Sequence, residues 1–331
     1  MCLFRQGVFA VYTGEVPQTH RSTDAFQQVA LGYRGELLAH CYQMLGSLHD
    51  AEDQVQETYL RAWRAYDRFD ESRASMRTWL YRIATNTCLT ALESRGRRAL
   101  PAGLGAPSDD PQQPLTHREV PWLEPFPDAL LAGDPAAVLL GRGRLRIAFL
   151  AALQHLAPRQ RAVLILREVF DFSAAETAEI LDMTVAAVNS GLQRARARMA
   201  TVRVTEEPSA GDRAVLDRYV AAFESADIPA LVRLLGETPI LEMPPYENWY
   251  RGVADYAAFC ARVFAMRGTD WRALTTSLNG QPTLAAYVRR GDRYVAHTLQ
   301  VLTIRDGKVL RNTVFSEVTL FSQSGLVEEL A

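Results

Sequence analysis

Residues 173–199 read SAAETAEILDMTVAAVNSGLQRARARM. Ser173 with Glu176 three residues on is a capping box, which opens a helix. Ala175, Ala178 and Leu181 then fall on one face. Asp182-Met183-Thr184 is a short turn. A second helix starts near Val185, with Val188, Leu192 and Ala195 inward. Ala178 is the small residue that lets two helices approach at an elbow. The outer face of the second helix presents Ala186, Asn189, Ser190, Gln193, Arg194, Arg196 and Arg198, with no acid between Val185 and Met199. A helix in a DNA major groove needs short polar groups for base edges and arginines for phosphates. Asn and Gln pair with adenine, and Arg with guanine. The same pattern also fits an ordinary amphipathic helix with a solvated arginine face.

The surroundings of this stretch fit a helical unit. Residues 142–155 are amphipathic, and Pro158 sits at a helix start, where its missing N–H costs nothing. Residues 141–200 carry nine arginines against five acids, a candidate anion-binding surface in a chain with 36 basic and 38 acidic residues overall. Residues 101–140 are instead acidic and rich in proline, which reads as a linker without a long helix. Upstream of it, Ser47 and Asp50 start a helix whose inward face is Ala51, Val55, Tyr59 (or Thr58), Ala62 and Tyr66. Asp50, Asp53, Gln56 and Glu57 lie on its polar side. A second long helix, near Ser75 to Ser94, carries Trp79, Ile83 and Leu89 inward and ends in Arg95-Gly96-Arg97-Arg98.

The remaining sequence bounds the class. No run of about 18 apolar residues occurs, which argues against a transmembrane helix. MCLFRQGVFAVYTGE is a poor signal peptide, since Arg5, Gln6 and Gly7 interrupt its apolar stretch. Cys2, Cys41, Cys88 and Cys260 are far apart, so neither a disulfide framework nor a metal site is expected, and no cofactor. The expected compartment is the cytoplasm. Lys308 is the only lysine, a bias we read as genome composition.

Residues 212–331 change character. Helices are predicted at Val215–Ser225, Ala230–Leu235 and Val253–Ala265. Strands follow at 240–243, 271–279, 283–290, 294–304 and 308–316, with Asp306-Gly307 as a type I′ hairpin signal. Helices followed by a curved antiparallel sheet read as an α+β cone. Acid/base candidates within such a cone are Glu242, Tyr246, Tyr287, His297 and Glu317, and Trp249 and Trp271 read as wall. Of these, Tyr246, Trp249, Tyr287 and His297 are the expected pocket lining.

Two of these segments together resemble the extracytoplasmic-function group of the sigma-70 family of RNA polymerase sigma factors. HDAEDQVQETYLRAWRAYDRFD (49–70) is similar to the part of sigma domain 2 that docks on the largest polymerase subunit. RASMRTWLYRIATNTCLTALESRGRR (73–98) is similar to the part that melts and reads the minus-10 element. Residues 156–199 resemble sigma domain 4, which reads the minus-35 element. The resemblance implies docking by Asp50, Asp53, Gln56 and Glu57, and minus-10 contacts by Trp79, Asn86, Arg95, Arg97 and Arg98. It implies minus-35 contacts by the seven residues of the 185–199 helix. Two departures stand out: Asn189 and Gly191 occupy positions where the family often has Lys and Arg, and Gly191 costs about 1 kcal/mol of helix stability against Ala.

The tail resembles SnoaL-like domains of the NTF2-like fold, and the linker run Trp122-Leu123-Glu124-Pro125 resembles that of sigma factors carrying such a tail. The implied architecture is multidomain: two all-α sigma domains, σ2 and a helix-turn-helix σ4, plus a C-terminal α+β NTF2-like cone. The expected boundaries are an extension at 1–22, σ2 at 23–100, a linker at 101–135, σ4 at 136–203 and the cone at 212–331. The implied partners are core RNA polymerase and promoter DNA, with the tail touching linker and sigma domains, no membrane, and a small ligand in the tail left open. The implied function is promoter-directed transcription initiation regulated by the tail, without enzymatic activity. The alternatives are a SnoaL-like enzyme or ligand sensor with an accessory DNA-binding half, and a regulator that binds DNA without polymerase.

Overall fold

The computed structural model describes residues 26, 28–94, 96–141, 143–200 and 210–331. The expected extension at 1–22, Arg95 and nearly all of the 203–212 connector lie outside the described residues.

Helix α1 (Arg34–Leu45) is buried along almost its whole length and stops at Gly46, whose φ of 71° lets its N–H turn back to Tyr42 O. Helix α2 (Leu48–Ala65) is capped as expected by Ser47, which accepts from Asp50 N. Helix α3 (Met76–Glu93) is capped by Ser75 through Thr78 N. Its buried face differs from the expected one. Leu80, Tyr81, Ala84 and Cys88 are fully buried, whereas Trp79, Ile83 and Leu89 are only half-buried. The reason is that α3 packs on two sides, against α1 and α2 and against a helix of the 146–199 unit.

That unit contains α4 (Ile147–Leu153), α5 (Pro158–Glu168), α6 (Ala174–Leu181) and α7 (Val185–Met199). Pro158 stands in the first turn of α5. The Ser173–Glu176 capping box is present in full. Ala175 is exposed rather than inward; Thr177, Ala178, Ile180 and Leu181 are the buried positions of α6. Asp182 takes the left-handed elbow at φ 52°, and Thr184 caps α7 by accepting from Ala187 N.

The cone begins with α8 (Ala210–Glu224) and α9 (Ile228–Leu234), and α10 (Val253–Arg267) follows strand β2. Its sheet comprises β1 (Leu235–Glu242), β2 (Trp249–Arg251), β3 (Trp271–Leu278), β4 (Gln281–Arg290), β5 (Arg293–Arg305) and β6 (Lys308–Phe315), in the order β2-β1-β6-β5-β4-β3. The β1–β6 pair is parallel and the other pairs are antiparallel. A short α11 (Thr319–Gln323) and β7 (Glu329–Leu330), which pairs with β5, close the chain. Asp306 and Gly307 both have positive φ, as a type I′ turn requires. Asn279 and Gly280 do the same between β3 and β4.

The sheet is covered on both faces. Leu284, Ala286, Val288 and Leu302 pack with Tyr219, Phe223 and Phe259 of the cone helices. Ala285, Tyr287, Leu299 and Phe315 belong instead to a second apolar core that continues through Phe126 and Leu123 to Phe172, Tyr42 and Leu37. The proline-rich segment is therefore not a loose tether. It forms three short 3-10 turns (101–103, 128–131, 135–137) and buries Leu123, Phe126 and Leu131.

Candidate nucleic-acid interface

The outer face of α7 carries its expected set in the open. Ala186, Asn189, Ser190, Gln193, Arg194, Arg196 and Arg198 are all exposed. Arg194 donates to Ser190 Oγ at 2.6 Å, which lays its guanidinium along the helix. Arg196 is drawn sideways into an ion pair with Glu168 of α5, although its side chain stays 61% exposed. Gly191 is buried against Val163 of α5, but a Cβ there would meet that valine at 3.7 Å, an ordinary contact. The glycine therefore answers no steric need.

On α3, Trp79 is half-buried and stacks on Phe69 with ring centroids 4.7 Å apart. Asn86 is exposed on the same side of the helix. Arg82, exposed between them, completes the row; its spacing of three from Trp79 and four to Asn86 was the signal that sequence reading passed over.

The α2 strip divides. Asp53 and Gln56 are exposed and Glu57 is half-buried, while Arg61 pairs with Glu57 at 2.6 Å. Leu60 and Trp63 add exposed apolar area beside them, which was not anticipated. Asp50 does not belong to this strip, and Arg98 does not face solvent as a phosphate contact. The two form a 2.6 Å ion pair with side chains 7% and 16% exposed. Arg98 also donates to Trp122 O and to Glu124 of the linker. Glu124 further accepts from Ser47 Oγ and Leu48 N, so one carboxylate ties the start of α2 to the linker. Arg97 remains exposed and donates to His155 Nδ1 at 2.8 Å.

The four expected pocket residues do not converge. Trp249 lies under the linker, donating to Gly105 O. Tyr246 meets His117 edge to face. Tyr287 faces the second core, and its hydroxyl donates to Val327 O. His297 stacks near Trp271, and burial holds its imidazole below its usual range. Glu242 is fully buried and pairs with Arg311, and burial beside Glu124 pushes the Glu317 carboxyl up. The cone interior is filled by a network that sequence reading missed. Tyr219 and Tyr256 hydroxyls meet at 2.6 Å, and Asn312 Nδ2 donates to both and to Gln300. These residues are far apart in sequence, so no local pattern joins them. Among the described residues no cluster of His, Cys, Asp and Glu could hold a metal, and no helix is long and apolar enough to cross a membrane.

Comparison with known proteins follows the same division. Sigma-70 region 2 matches residues 30–98, Sigma-70 region 4 matches 146–199, and a SnoaL-like domain matches 216–312. Over 98% of its length the chain is 48% identical to the ECF RNA polymerase sigma factor SigG of Mycobacterium tuberculosis, covering 89% of that protein. The chain belongs to the extracytoplasmic-function sigma factors. It is also 27% identical to SigJ of the same organism, over 90% of this sigma factor and 94% of that one. The crystal structure of SigJ shares its fold, with a TM-score of 0.64 over 92% of this chain and 100% of that one at 24% identity.

The three parts of this sigma factor are clasped together. Arg77 of α3 pairs with Glu36, donates to Phe170 O and lies 4.3 Å from the Phe172 ring centroid. Beneath it His40 is fully buried, bonded to Thr85 Oγ1, and burial together with Arg77 pulls its pKa down to about 3. Arg161 of α5 reaches across to Met44 O, and burial brings its pKa down to about 10. The β3–β4 hairpin tip holds the rest. Asn279 Nδ2 donates to Tyr42 Oη at 2.8 Å and to Leu145 O at 2.7 Å, and its Oδ1 accepts from Phe126 N at 2.9 Å. Gln281 Oε1 accepts from Ile147 N at the start of α4. Asp128 of the linker accepts from Gly280 N and Ser277 Oγ.

Proposed function

We propose that this sigma factor binds core RNA polymerase through the α2 strip (Asp53, Gln56, Glu57, with Leu60 and Trp63), reads the minus-10 element with α3 and the minus-35 element with α7, and is held closed by its own tail. It works in the cytoplasm, where core polymerase and promoters are. The domain division offered is σ2 at 23–100, linker at 101–135, σ4 at 136–203 and tail at 212–331.

The observation that carries the reading is the exposed, acid-free face of α7 on one unit together with the row of half-buried Trp79 and exposed Arg82 and Asn86 on another. Acids on α2 suit a basic protein surface and repel DNA. Closure follows from distance. Helix α6 packs between α3 and α7, so two helix layers of 8–10 Å put them about 20 Å apart. Elements centred about 25 base pairs apart lie ~85 Å apart along B-DNA at 3.4 Å per base pair. Reading both at once therefore requires the α3–α6 contact and the hairpin clasp to part.

No enzymatic role is proposed for the tail. Inside it Tyr219, Tyr256, Gln300 and Asn312 hydrogen-bond one another, and its titratable candidates do not converge. A general base has to reach a substrate proton within hydrogen-bond distance, and His297 is packed against Trp271 instead.

Run-off transcription with bacterial core polymerase tests the reading, on a promoter taken from upstream of the chain's own gene. The full chain is expected to bind core and initiate. Failure to bind core polymerase, with initiation absent on every candidate promoter, overturns it.

A further inference from the structure

A cavity of this molecule lies where all its parts meet. It has a volume of about 170 Å³ and is walled by Arg97, Arg98 and Leu100 after α3, Ala102 of the linker, Ala151 and His155 of the 146–199 unit, and Arg311 of β6. Three arginines and a histidine line it and no carboxylate does, although Glu242 accepts from Ala102 N in the wall. Two of the arginines are already answered from behind, Arg98 by Asp50 and Glu124 and Arg311 by Glu242. Arg97 is different: among the described residues its polar contact is with the Nδ1 of His155, an acceptor only while that imidazole is neutral. A cation whose partner is a neutral imidazole still attracts an anion.

We propose that this cavity binds a phosphate oxyanion, of inorganic phosphate or pyrophosphate size or the terminal phosphate of a nucleotide, and that the bound anion bridges Arg97, His155 and Arg311 to lock the closed form. The volume suits such a group and is below that of a site for a drug-sized ligand. Arginine is the side chain that fits phosphate with paired donors. The walls come from three segments, 97–103, 151–155 and β6, that adjoin only when the molecule is closed, so the anion binds closed and not open chain, and stabilises it by mass action. Binding also changes the proton balance. Burial, Arg97 and the nearby Arg198 hold His155 below its usual range. An anion that offsets the charges of Arg97 and Arg198 favours proton uptake by His155, which then donates to the ligand.

The test is calorimetric titration of the full chain with pyrophosphate at fixed ionic strength, in two buffers of different ionisation enthalpy. The expected result is one saturable site, an enthalpy that differs between buffers because a proton is taken up, and tighter binding as pH falls from 8 to about 6. Arg97→Gln should weaken binding about tenfold. Arg311→Lys, which keeps a cation beside buried Glu242, should weaken it too, and Arg218→Gln on the far side of the cone should not. Absence of saturable binding, equal loss in Arg218→Gln, or wild-type affinity in both cavity variants overturns the proposal. A competition arm separates the two sources of phosphate. If a short duplex of no promoter sequence displaces pyrophosphate with the same dependence on Arg97 and Arg311, the groove belongs to nucleic-acid backbone and the proposed small-anion lock is wrong. The binding arms use no polymerase, so their failure leaves the sigma reading standing.

Discussion

At the scale of residues, the most informative pair is Asp50 and Arg98. Both were visible as charges, and each was given to a different external partner. They found one another across 48 positions because burying either alone costs more than solvating it. Arg98→Ala would remove a cation paired with both Asp50 and Glu124, with Glu317 close by to repel Glu124. Its expected cost is about 3–5 kcal/mol in urea unfolding, far above that of a surface phosphate contact. Arg194 is the contrast. Exposed, and among the described residues bonded only to Ser190 within its own helix, it should contribute little to folding. Arg194→Ala should lower promoter output and reduce the salt slope of DNA binding by about one, with an unchanged urea midpoint. No local sequence signal separates these two arginines, since both sit among arginines on a helix or just past one.

At the scale of elements, the helix-turn-helix was legible because its signals are local: a capping box, a left-handed elbow and a threonine cap all lie within twelve residues. The burial of the linker was not legible because proline content speaks to helix and not to burial, and Phe126, which anchors it, packs with residues of a sheet far along the chain. The hairpin that receives it carries an Asn-Gly turn, a strong local signal, but nothing local says that the turn points into other domains. Asn279→Gly keeps the left-handed backbone and removes three side-chain hydrogen bonds. It should weaken the clasp by about 2–3 kcal/mol, seen as faster hydrogen exchange at 126–128 and 145–147 with exchange inside α2 unchanged. Asp128 gives the same contact a pH dependence. Burial raises its carboxyl above the usual range, more than its bonds to Ser277 and Gly280 lower it. A raised carboxyl binds its proton more tightly when docked. The clasp is therefore strongest below about pH 4, the unperturbed value, and loses stability as pH rises through the raised one. The stability difference between Asp128→Asn and the parent chain should accordingly grow in favour of the variant between pH 4 and pH 7, read by thermal unfolding.

At the scale of the whole molecule, the apolar core does not respect the three units. Leu37, Phe126, Phe172 and Phe315 belong to one continuous cluster. A chain ending at Thr205 would present the Leu123–Phe126–Leu131 side of that cluster to water. It should bind a hydrophobic dye more strongly and unfold at lower urea than the full chain, while its transcription output changes because the clasp is gone. Identical output and identical core-polymerase affinity in both chains would refute regulation by the tail.

That shared core also orders events in time. Residues 26–200 leave the ribosome before the β3–β4 hairpin exists, and at roughly 5–20 residues per second the wait for residue 281 is on the order of ten seconds. During that interval α3 and α7 are complete, and the contacts of Arg77 with Phe170 and of Arg161 with Met44 hold their units together without the hairpin clasp. Each newborn molecule thus passes through an unlatched stage set by the speed of translation, and a slowed ribosome lengthens it.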